Sequence, residues 1–306
     1  MPVEQKDGRV LLTHPKGSST EVLLYGATVI SWKAGTKPRP EPMERLFVSS
    51  KAALDGSKPV RGGIPVVFPC FGAPIHPEHS RLGQHGFARS EVWTFERIVM
   101  DNDAGVSVRL TLEPTPRITA KYDRPFHLAF VVTLAEHQLS TDLHVTNTST
   151  STAFPPDNLE FQALFHNYIR APSKDVLVFP LQHLQYYDKT EATEEGRTKA
   201  KVETRAGVDV RKFTDSVYED APQKYEATWP GGGIDINVKK LKDLVVWNPR
   251  EEAGAKIADM EEGGWDKYIC VEPGYVRGFA KVEPGKRWIG QQVLSTIDAE
   301  RRINQL

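Results

Sequence analysis

The sequence predicts a mostly β protein, a large antiparallel β-sandwich with few short helices, and three observations lead to this fold class. Apolar and polar residues alternate strictly over 106–112 and 139–146, which is typical of strands with one buried face. Further short apolar runs are separated mostly by Gly, Pro, Asn, Asp or Ser, the residues that form turns. Helical periodicity is scarce, and only 251–260 has the pattern for a turn or two of helix.

The predicted elements follow one another without a break that would mark a second domain. Lys16-Gly17-Ser18-Ser19 is predicted to be the turn of an opening hairpin. The predicted strands are 10–12, 21–24, 91–97, 106–112, 128–134, 139–146, 176–179, 244–247, 268–272 and 288–294. The proline-rich stretch 37–42 and the charged stretch 188–202 are predicted to be exposed loops. We find no internal repeat and no shift in composition, so we expect residues 1–306 to form a single domain.

Charge and cysteine content exclude several classes of protein. The formal net charge of −1 leaves no broad basic field, so we expect neither nucleic acid nor a membrane surface as a partner. We see no leader-like pattern at the start and no apolar run near the roughly 20 residues that span a bilayer. The chain is therefore expected to be a soluble, cytoplasmic monomer. Cys70 and Cys270 lie in apolar surroundings and fit reduced core cysteines better than a disulfide.

Two ionisable residues in apolar, strand-like runs are candidates for an acid and a base. His166 lies in Phe165–Ile169 of the sequence and Glu272 in the run 268–275, where an ionisable side chain is costly without a partner or a task. Alternation predicts that Cys270 and Glu272 share one strand face. A histidine in a half-buried strand can donate a proton near neutral pH. The alternatives are a structural histidine and an exposed edge-strand carboxylate.

Four other residues are candidates for binding an anionic or hydroxylated ligand. Arg61 precedes two glycines that allow close backbone approach, although a tight turn with Arg61 paired to a surface carboxylate is the more common arrangement. Gln84 and Arg89 lie in the polar segment 84–90, which suits sugar hydroxyls and a phosphate or, alternatively, is only a loop before a strand. Asp215 fits either a turn or an acceptor for a sugar hydroxyl.

The sequence gives no sign of a metal or a nucleotide cofactor. His76, His79 and His85 resemble a metal cluster, but a proline between the first two, mixed spacing and the lack of nearby cysteine ligands argue against zinc. We find no P-loop, no GxGxxG after a strand, no nucleophile elbow and no HExxH. We therefore expect no metal and no cofactor.

Five motifs in a fixed order resemble the aldose 1-epimerase superfamily, and within it the glucose-6-phosphate 1-epimerase branch. They are the segments 61–65 (RGGIP), 84–89 (QHGFAR), 165–168 (FHNY), 214–218 (TDSVY) and 271–274 (VEPG), and the resemblance extends to about residue 295. It implies a galactose mutarotase-like β-sandwich, with His166 as general acid and Glu272 as general base. It also implies substrate-binding roles for Arg61, Gln84, Arg89 and Asp215, with the arginines favouring a phosphorylated sugar.

The function implied by this resemblance is interconversion of the α and β anomers of glucose 6-phosphate and related hexose 6-phosphates. The base would take the proton of the anomeric hydroxyl while the acid protonates the ring oxygen, so the ring opens to the aldehyde and closes again. Two alternatives remain open: a sandwich that binds phosphosugars without turnover, and an epimerase of unphosphorylated aldoses. A matched acid and base argue against the first, and two cations in a neutral-sugar pocket argue against the second.

Overall fold

Strands dominate the computed structural model, which describes residues 2–152 and 157–298. They form three antiparallel sheets, so the predicted fold class is confirmed. The first, the N-terminal sheet, is a five-stranded meander. Its strands are β1 (Val3–Lys6), β2 (Arg9–Thr13), β3 (Ser19–Leu23), β4 (Thr28–Ala34) and β5 (Met43–Glu44).

The second sheet, called the outer sheet below, has eight strands and most of the long alternating segments. Its order is β13-β17-β18-β21-β10-β9-β8-β7. The strands are β7 (Thr94–Asn102), β8 (Gly105–Leu112), β9 (Phe126–Leu134), β10 (Gln138–Asn147), β13 (Leu177–Phe179), β17 (Lys224–Trp229), β18 (Gly232–Lys239) and β21 (Arg287–Ile297).

The third sheet, called the site sheet below, carries the candidate functional residues. Its order is β15-β14-β16-β19-β20-β11-β6, and β12 also pairs with β20. The strands are β6 (Val66–Val67), β11 (Leu159–Phe165), β12 (Tyr168–Arg170), β14 (Gln185–Asp188), β15 (Ala200–Val202), β16 (Thr214–Tyr218), β19 (Asp243–Asn248) and β20 (Tyr268–Val282).

The outer sheet and the site sheet pack face to face around one large apolar core. Phe161 of β11 meets Trp288 of β21 with ring centroids 5.3 Å apart, and Phe165 meets Phe130 of β9 at 6.1 Å. Burying large aromatic side chains is the main favourable contribution to such a core. The opposite face of the site sheet is therefore left free to line a cavity.

Helices are short in the described part of the chain. They are the α-helices α1 (Pro116–Thr119), α2 (Glu194–Thr198) and α3 (Arg250–Gly254) and the 3₁₀ helices Pro77–His79, Ala88–Ser90 and Gly264–Lys267. None of these helices has the length and apolar character needed to pass through a bilayer. The short helix predicted within 251–260 is present as α3, but it begins at Arg250 and ends at Gly254.

Most sequence predictions of strands hold, and the differences lie at boundaries. The opening hairpin turns as predicted, with Gly17 donating to the carbonyl of His14. The strand predicted at 91–97 begins only at Thr94. The prediction of an exposed loop over 188–202 is wrong in part, because the segment contains α2 and β15. Sequence alone missed β15 because a short edge strand lacks a buried run long enough to show alternation.

Candidate active site

A cavity of about 480 Å³ opens on the free face of the site sheet. It brings together all six residues that the sequence singled out. They are Arg61, Gln84, Arg89, His166, Asp215 and Glu272. Asp215 lies in β16 and Glu272 in β20, and the pairing of both strands with β19 brings these two residues onto one sheet. Arg61, Gln84 and Arg89 reach the same cavity from outside the strands.

Strand alternation in β20 turns Glu272 toward the cavity. Ile269 and Val271 point into the core between the sheets, whereas Cys270 belongs to a separate cluster on the opposite face. Glu272 shares that opposite face because side chains alternate along a strand. It is 1% exposed and lies in a central strand, so the alternative of an exposed edge-strand charge is wrong.

His166 lies between β11 and β12, and its neighbour Asn167 fixes the backbone there. The Asn167 side-chain amide donates to the carbonyl of Val271 (2.9 Å) and to Oε1 of Gln292 in β21 (2.7 Å). The backbone amide of His166 donates to the carbonyl of Pro65 (3.1 Å). The bend that carries His166 is thereby tied to the residue before Glu272 and to the outer sheet.

The two ionisable side chains face each other in the cavity. Nδ1 of His166 lies 3.4 Å from Oε1 of Glu272, yet Nδ1 makes no hydrogen bond among the described residues. Tyr168 stacks on the imidazole with ring centroids 4.7 Å apart, and Trp247 meets its edge at 5.9 Å. The ring is therefore held in one plane while a nitrogen remains available.

Burial controls the protonation of this pair. Burial is the main cause that holds the pKa of His166 well below its usual value, and His85, Arg89 and Arg61 add to it. Burial, with a smaller effect from Asp215, raises the pKa of Glu272 well above its usual value, and Arg89 opposes this. Burial therefore disfavours the charged form of both side chains and favours a neutral imidazole beside a protonated carboxyl.

Arg89 is a half-buried cation that forms no ion pair with the carboxylates in the described part of the chain. Its Nη2 donates to the carbonyl of Gln84 (3.0 Å), while its Nε is buried and makes no hydrogen bond with any described residue. No carboxylate lies within ion-pair distance of it among residues 2–152 and 157–298. Burial, followed by the charge of Arg61, lowers the pKa of Arg89. An arrangement of this kind is incomplete without an anion.

Arg61, in contrast, already has partners. Its Nε donates to Oδ1 of Asp259 (3.0 Å) and its Nη1 to the hydroxyl of Tyr168 (3.1 Å). Burial lowers its pKa, but Tyr168 and Asp259 outweigh that effect and raise it overall. The expected pairing of Arg61 with a carboxylate is thus present, and the same side chain also lines the cavity.

Asp215 and His85 add polar groups to the cavity wall. Asp215 in β16 stands opposite Trp247 in β19, and burial raises its pKa to about 6. His85 accepts a hydrogen bond from the amide of Gly72 at Nδ1 (3.2 Å), and its ring centroid lies 6.0 Å from that of His166. Burial and the two arginines lower the pKa of His85 to about 3, so its imidazole is neutral.

Three cations on the cavity wall were not predicted from the sequence: Lys189, Arg197 and Arg277. Arg277 lies over the ring of Tyr187, with Cζ 3.7 Å from the centroid. Arg197 donates to the carbonyl of Glu191 (2.8 Å). Two of the three belong to the charged segment 188–202, which alternation cannot place next to β16. The high content of charged residues in this segment was the one signal in the sequence that could have pointed to them.

Two other features can be set aside. A larger cavity, about 940 Å³, contains none of the predicted site residues and is lined by loops near His14, Glu136 and Asp298. His76 and His79 pack against Phe279, whereas His85 lies in the active-site cavity, and no grouping of these histidines converges on a metal position among the described residues.

Comparison with known proteins decides the family. The sequence pattern of the family described as aldose 1-epimerase matches residues 8–295. The chain belongs to the aldose 1-epimerase family. It is accordingly an enzyme, an isomerase with epimerase (mutarotase) activity, as the order of motifs predicted.

Relatives of this epimerase carry similar names. A protein from Cenchrus ciliaris, "Putative glucose-6-phosphate 1-epimerase", is 28% identical over 97% of this chain and 87% of its own length. An Escherichia coli (strain K12) protein of the same name is 26% identical over 90% of this chain and 86% of its own length.

Solved structures agree with the fold. The crystal structure of "a putative mutarotase (YeaD) from Salmonella typhimurium" has a TM-score of 0.82 at 21% identity, covering 97% of this chain and 93% of that one. A "galactose mutarotase-like protein from Lactobacillus casei" has a TM-score of 0.68 at 16% identity, covering 94% and 100%. At these identities the likeness establishes the galactose mutarotase-like architecture.

Proposed function

We propose that this epimerase interconverts the α and β anomers of glucose 6-phosphate and related hexose 6-phosphates. The observation that carries the substrate assignment is Arg89 in the cavity of His166 and Glu272, a half-buried guanidinium that pairs with no carboxylate among residues 2–152 and 157–298. A phosphate would supply the missing anion through a two-pronged contact, which a neutral sugar cannot do. The names of the two relatives point the same way.

In the proposed mechanism, Glu272 is the general base and His166 the general acid. The Glu272 carboxylate removes the proton from the anomeric hydroxyl while the His166 imidazolium protonates the ring oxygen. The bond between C1 and the ring oxygen breaks, and the C1–O1 bond becomes a carbonyl. Rotation about C1–C2 and the reverse transfers then close the ring as the other anomer. Glucose 6-phosphate supplies every atom that changes bonding, and the two side chains exchange only protons.

The electrostatics of the site support these roles. After ring opening, the pair consists of a protonated Glu272 and a neutral His166, which is the state that burial favours. The cavity therefore stabilises the protonation state of the open-chain intermediate. The reactive state before ring opening requires the proton on His166 instead. A phosphate dianion beside Arg89 and Arg61 would offset the charges that lower the pKa of His166. It would thereby favour that state.

The remaining cavity residues are proposed to hold the sugar. Gln84 and Asp215 present an amide and a carboxyl to the cavity, which suit ring hydroxyls. Arg61, tied to Asp259 and Tyr168, is proposed to assist Arg89 at the phosphate and to orient Tyr168 beneath His166. All these groups come from one chain, which is consistent with a single domain acting as a monomer. A cytoplasmic location is also proposed, because charged sugar phosphates do not cross membranes freely.

The test measures the rate of anomer interconversion, which exchange NMR or polarimetry monitors. We expect fast equilibration of glucose 6-phosphate, slow or no acceleration with glucose and galactose, and loss of acceleration in Glu272→Gln. Equal acceleration of glucose and glucose 6-phosphate would favour an epimerase of unphosphorylated aldoses. Binding of glucose 6-phosphate by a folded protein without any acceleration over buffer would favour a non-catalytic binding protein.

A further inference from the structure

A third potential ligand atom lies next to the acid–base pair. Cys270 precedes Glu272 by two residues in β20, so both side chains lie on the same face of the strand. The sulfur of Cys270, an imidazole nitrogen of His166 and a carboxylate oxygen of Glu272 all lie within 4.8 Å of one another. All three residues are buried, and the proposed mechanism gives Cys270 no task.

We propose that Cys270, His166 and Glu272 form an inhibitory binding site for Zn²⁺ or a similar thiophilic divalent cation. The inhibition, although not the binding, rests on the proposed function of His166 and Glu272. A metal held there would occupy the lone pairs that the acid and the base need. The site differs from a catalytic metal centre, because anomer interconversion by the acid–base pair is complete without an ion.

The geometry of the pair already matches one edge of a tetrahedral zinc site. Zinc bonds to nitrogen and oxygen are about 2.0–2.2 Å long, so neighbouring ligand atoms in a tetrahedron are roughly 3.3–3.5 Å apart. Nδ1 of His166 and Oε1 of Glu272 are 3.4 Å apart. With a zinc–sulfur bond of about 2.3 Å, the sulfur must lie roughly 3.6 Å from each of them. Since the candidate ligand atoms lie within 4.8 Å of one another, the sulfur has to approach by little more than about 1 Å.

An unpartnered polar atom supports the site independently. Nδ1 of His166 is buried and makes no hydrogen bond among the described residues, which is unusual for a buried polar atom. In the neutral tautomer with the proton on Nε2, this atom has a free lone pair. His166 and Glu272 also line the cavity, whereas Cys270 lies behind them. A cation entering through the cavity would thus meet nitrogen and oxygen first and sulfur last, with its fourth position open to the cavity.

Charge balance permits a buried ion at this position. The thiol and the carboxyl lose their protons to solvent on binding, and the resulting thiolate and carboxylate neutralise a divalent cation. Asp215 adds attraction from the cavity wall, whereas Arg89 and Arg61 oppose the ion. Soft thiolate and imidazole ligands favour zinc over magnesium or calcium. We therefore expect inhibition by zinc and none by magnesium.

The experiment measures metal binding and turnover separately on chelator-treated protein. Titration with Co²⁺ is expected to give a thiolate-to-cobalt charge-transfer absorption that Zn²⁺ abolishes by competition. Cys270→Ala is expected to lose this absorption, keep its basal turnover, and need at least about tenfold more zinc for half inhibition. Cys70→Ala is the matched control, because Cys70 is also free and buried but belongs to no candidate metal cluster among the described residues. It should behave as wild type.

Each outcome has a definite meaning. If wild type shows no charge-transfer absorption, or if Cys270→Ala and wild type respond to zinc alike, the metal site is wrong. A cobalt absorption that depends on Cys270, without loss of turnover, would support the metal site and contradict the catalytic roles of His166 and Glu272. Cys270→Val, which fills a similar volume, replaces the alanine variant if thermal unfolding shows that the smaller side chain destabilises the fold.

Discussion

The active-site cavity has two halves with opposite electrostatic character. One half contains His166 and Glu272, and burial disfavours the charged form of both side chains. The other half is cationic and consists of Arg61, Arg89, Lys189, Arg197 and Arg277. A ligand with an uncharged ring and an anionic tail complements both halves at once. The difference supports the proposal that the two halves recognise different parts of one substrate.

Arg61 and Arg89, both in the cationic half, also differ from each other. Arg61 is compensated by Asp259 at 3.0 Å, whereas the side chain of Arg89 hydrogen-bonds, within the described part of the chain, to the backbone carbonyl of Gln84 and to no carboxylate. An anion that approaches Arg61 must compete with a carboxylate, but one that approaches Arg89 need not. We therefore propose that Arg89 contributes most of the phosphate affinity and that Arg61 acts partly by holding Tyr168 against His166.

The largest expected effect comes from substituting His166 or Glu272, the two residues of the neutral half. His166→Ala and Glu272→Gln should each lower kcat for glucose 6-phosphate by about 10²–10⁴-fold, because each removes one proton-transfer group. The KM should change far less than kcat. Steady-state kinetics of the folded variants checks this expectation, and near-full turnover in either one would show that the residue is not part of the proton transfer.

The next largest effect separates the two arginines. Arg89→Met should lower kcat/KM for glucose 6-phosphate roughly 10- to 150-fold, corresponding to about 1.5–3 kcal/mol for a lost charge-assisted hydrogen bond. Arg61→Met should lower it less and should also lower kcat, since it loosens Tyr168. Competition binding with a non-reacting sugar phosphate provides the comparison. Equal losses of affinity in both variants would contradict the division of roles.

A smaller effect tests whether the cationic half controls the proton on His166. Phosphite, added as a free dianion, should accelerate glucose interconversion by on the order of tenfold, a change of about 1.4 kcal/mol in the barrier. The reason is that an anion beside Arg89 and Arg61 offsets the charges that lower the pKa of His166. The increase should saturate with phosphite and disappear in Arg89→Met. Acceleration that grows linearly and persists in Arg89→Met would instead indicate simple buffer catalysis.

The smallest effect concerns stability and pH. Because burial raises the pKa of Asp215 to about 6, the folded protein keeps a proton that the unfolded chain loses near pH 4. Stability from this group therefore falls as the pH rises from about 4 to 6. Asp215→Asn removes the penalty and should stabilise the fold at pH 7 by about 1–3 kcal/mol, with no gain below pH 4.

Asp188→Asn provides a control of opposite sign for the Asp215 experiment. Although burial acts against it, hydrogen bonds from Thr190 and Lys201 lower the pKa of Asp188 overall. Asp188 therefore stabilises the fold above about pH 4, and its removal should destabilise at pH 7. Urea denaturation at pH 4 and pH 7 measures both differences. The same sign of change in the two variants would contradict the assignment.

The two halves also differ in how far the sequence predicts them. Alternation predicts that Cys270 and Glu272 share a strand face, because a strand has a fixed period of two. The structure confirms this prediction. No comparable periodicity places Lys189 or Arg197, whose positions depend on how β14 and β15 pair at the edge of the site sheet. The ion pair of Arg61 with Asp259 likewise joins residues 198 positions apart.

The location of Glu272 in β20 has a consequence for motion. This strand of 15 residues is paired with β19 on one side and with β11 and β12 on the other. Backbone amides with partners on both sides open only in rare, large-scale unfolding events, so those around Glu272 should be among the slowest to exchange with deuterium. The segment 188–202, at the sheet edge, should exchange early. Any rearrangement that admits the sugar would then come from the cationic wall and leave the base in place.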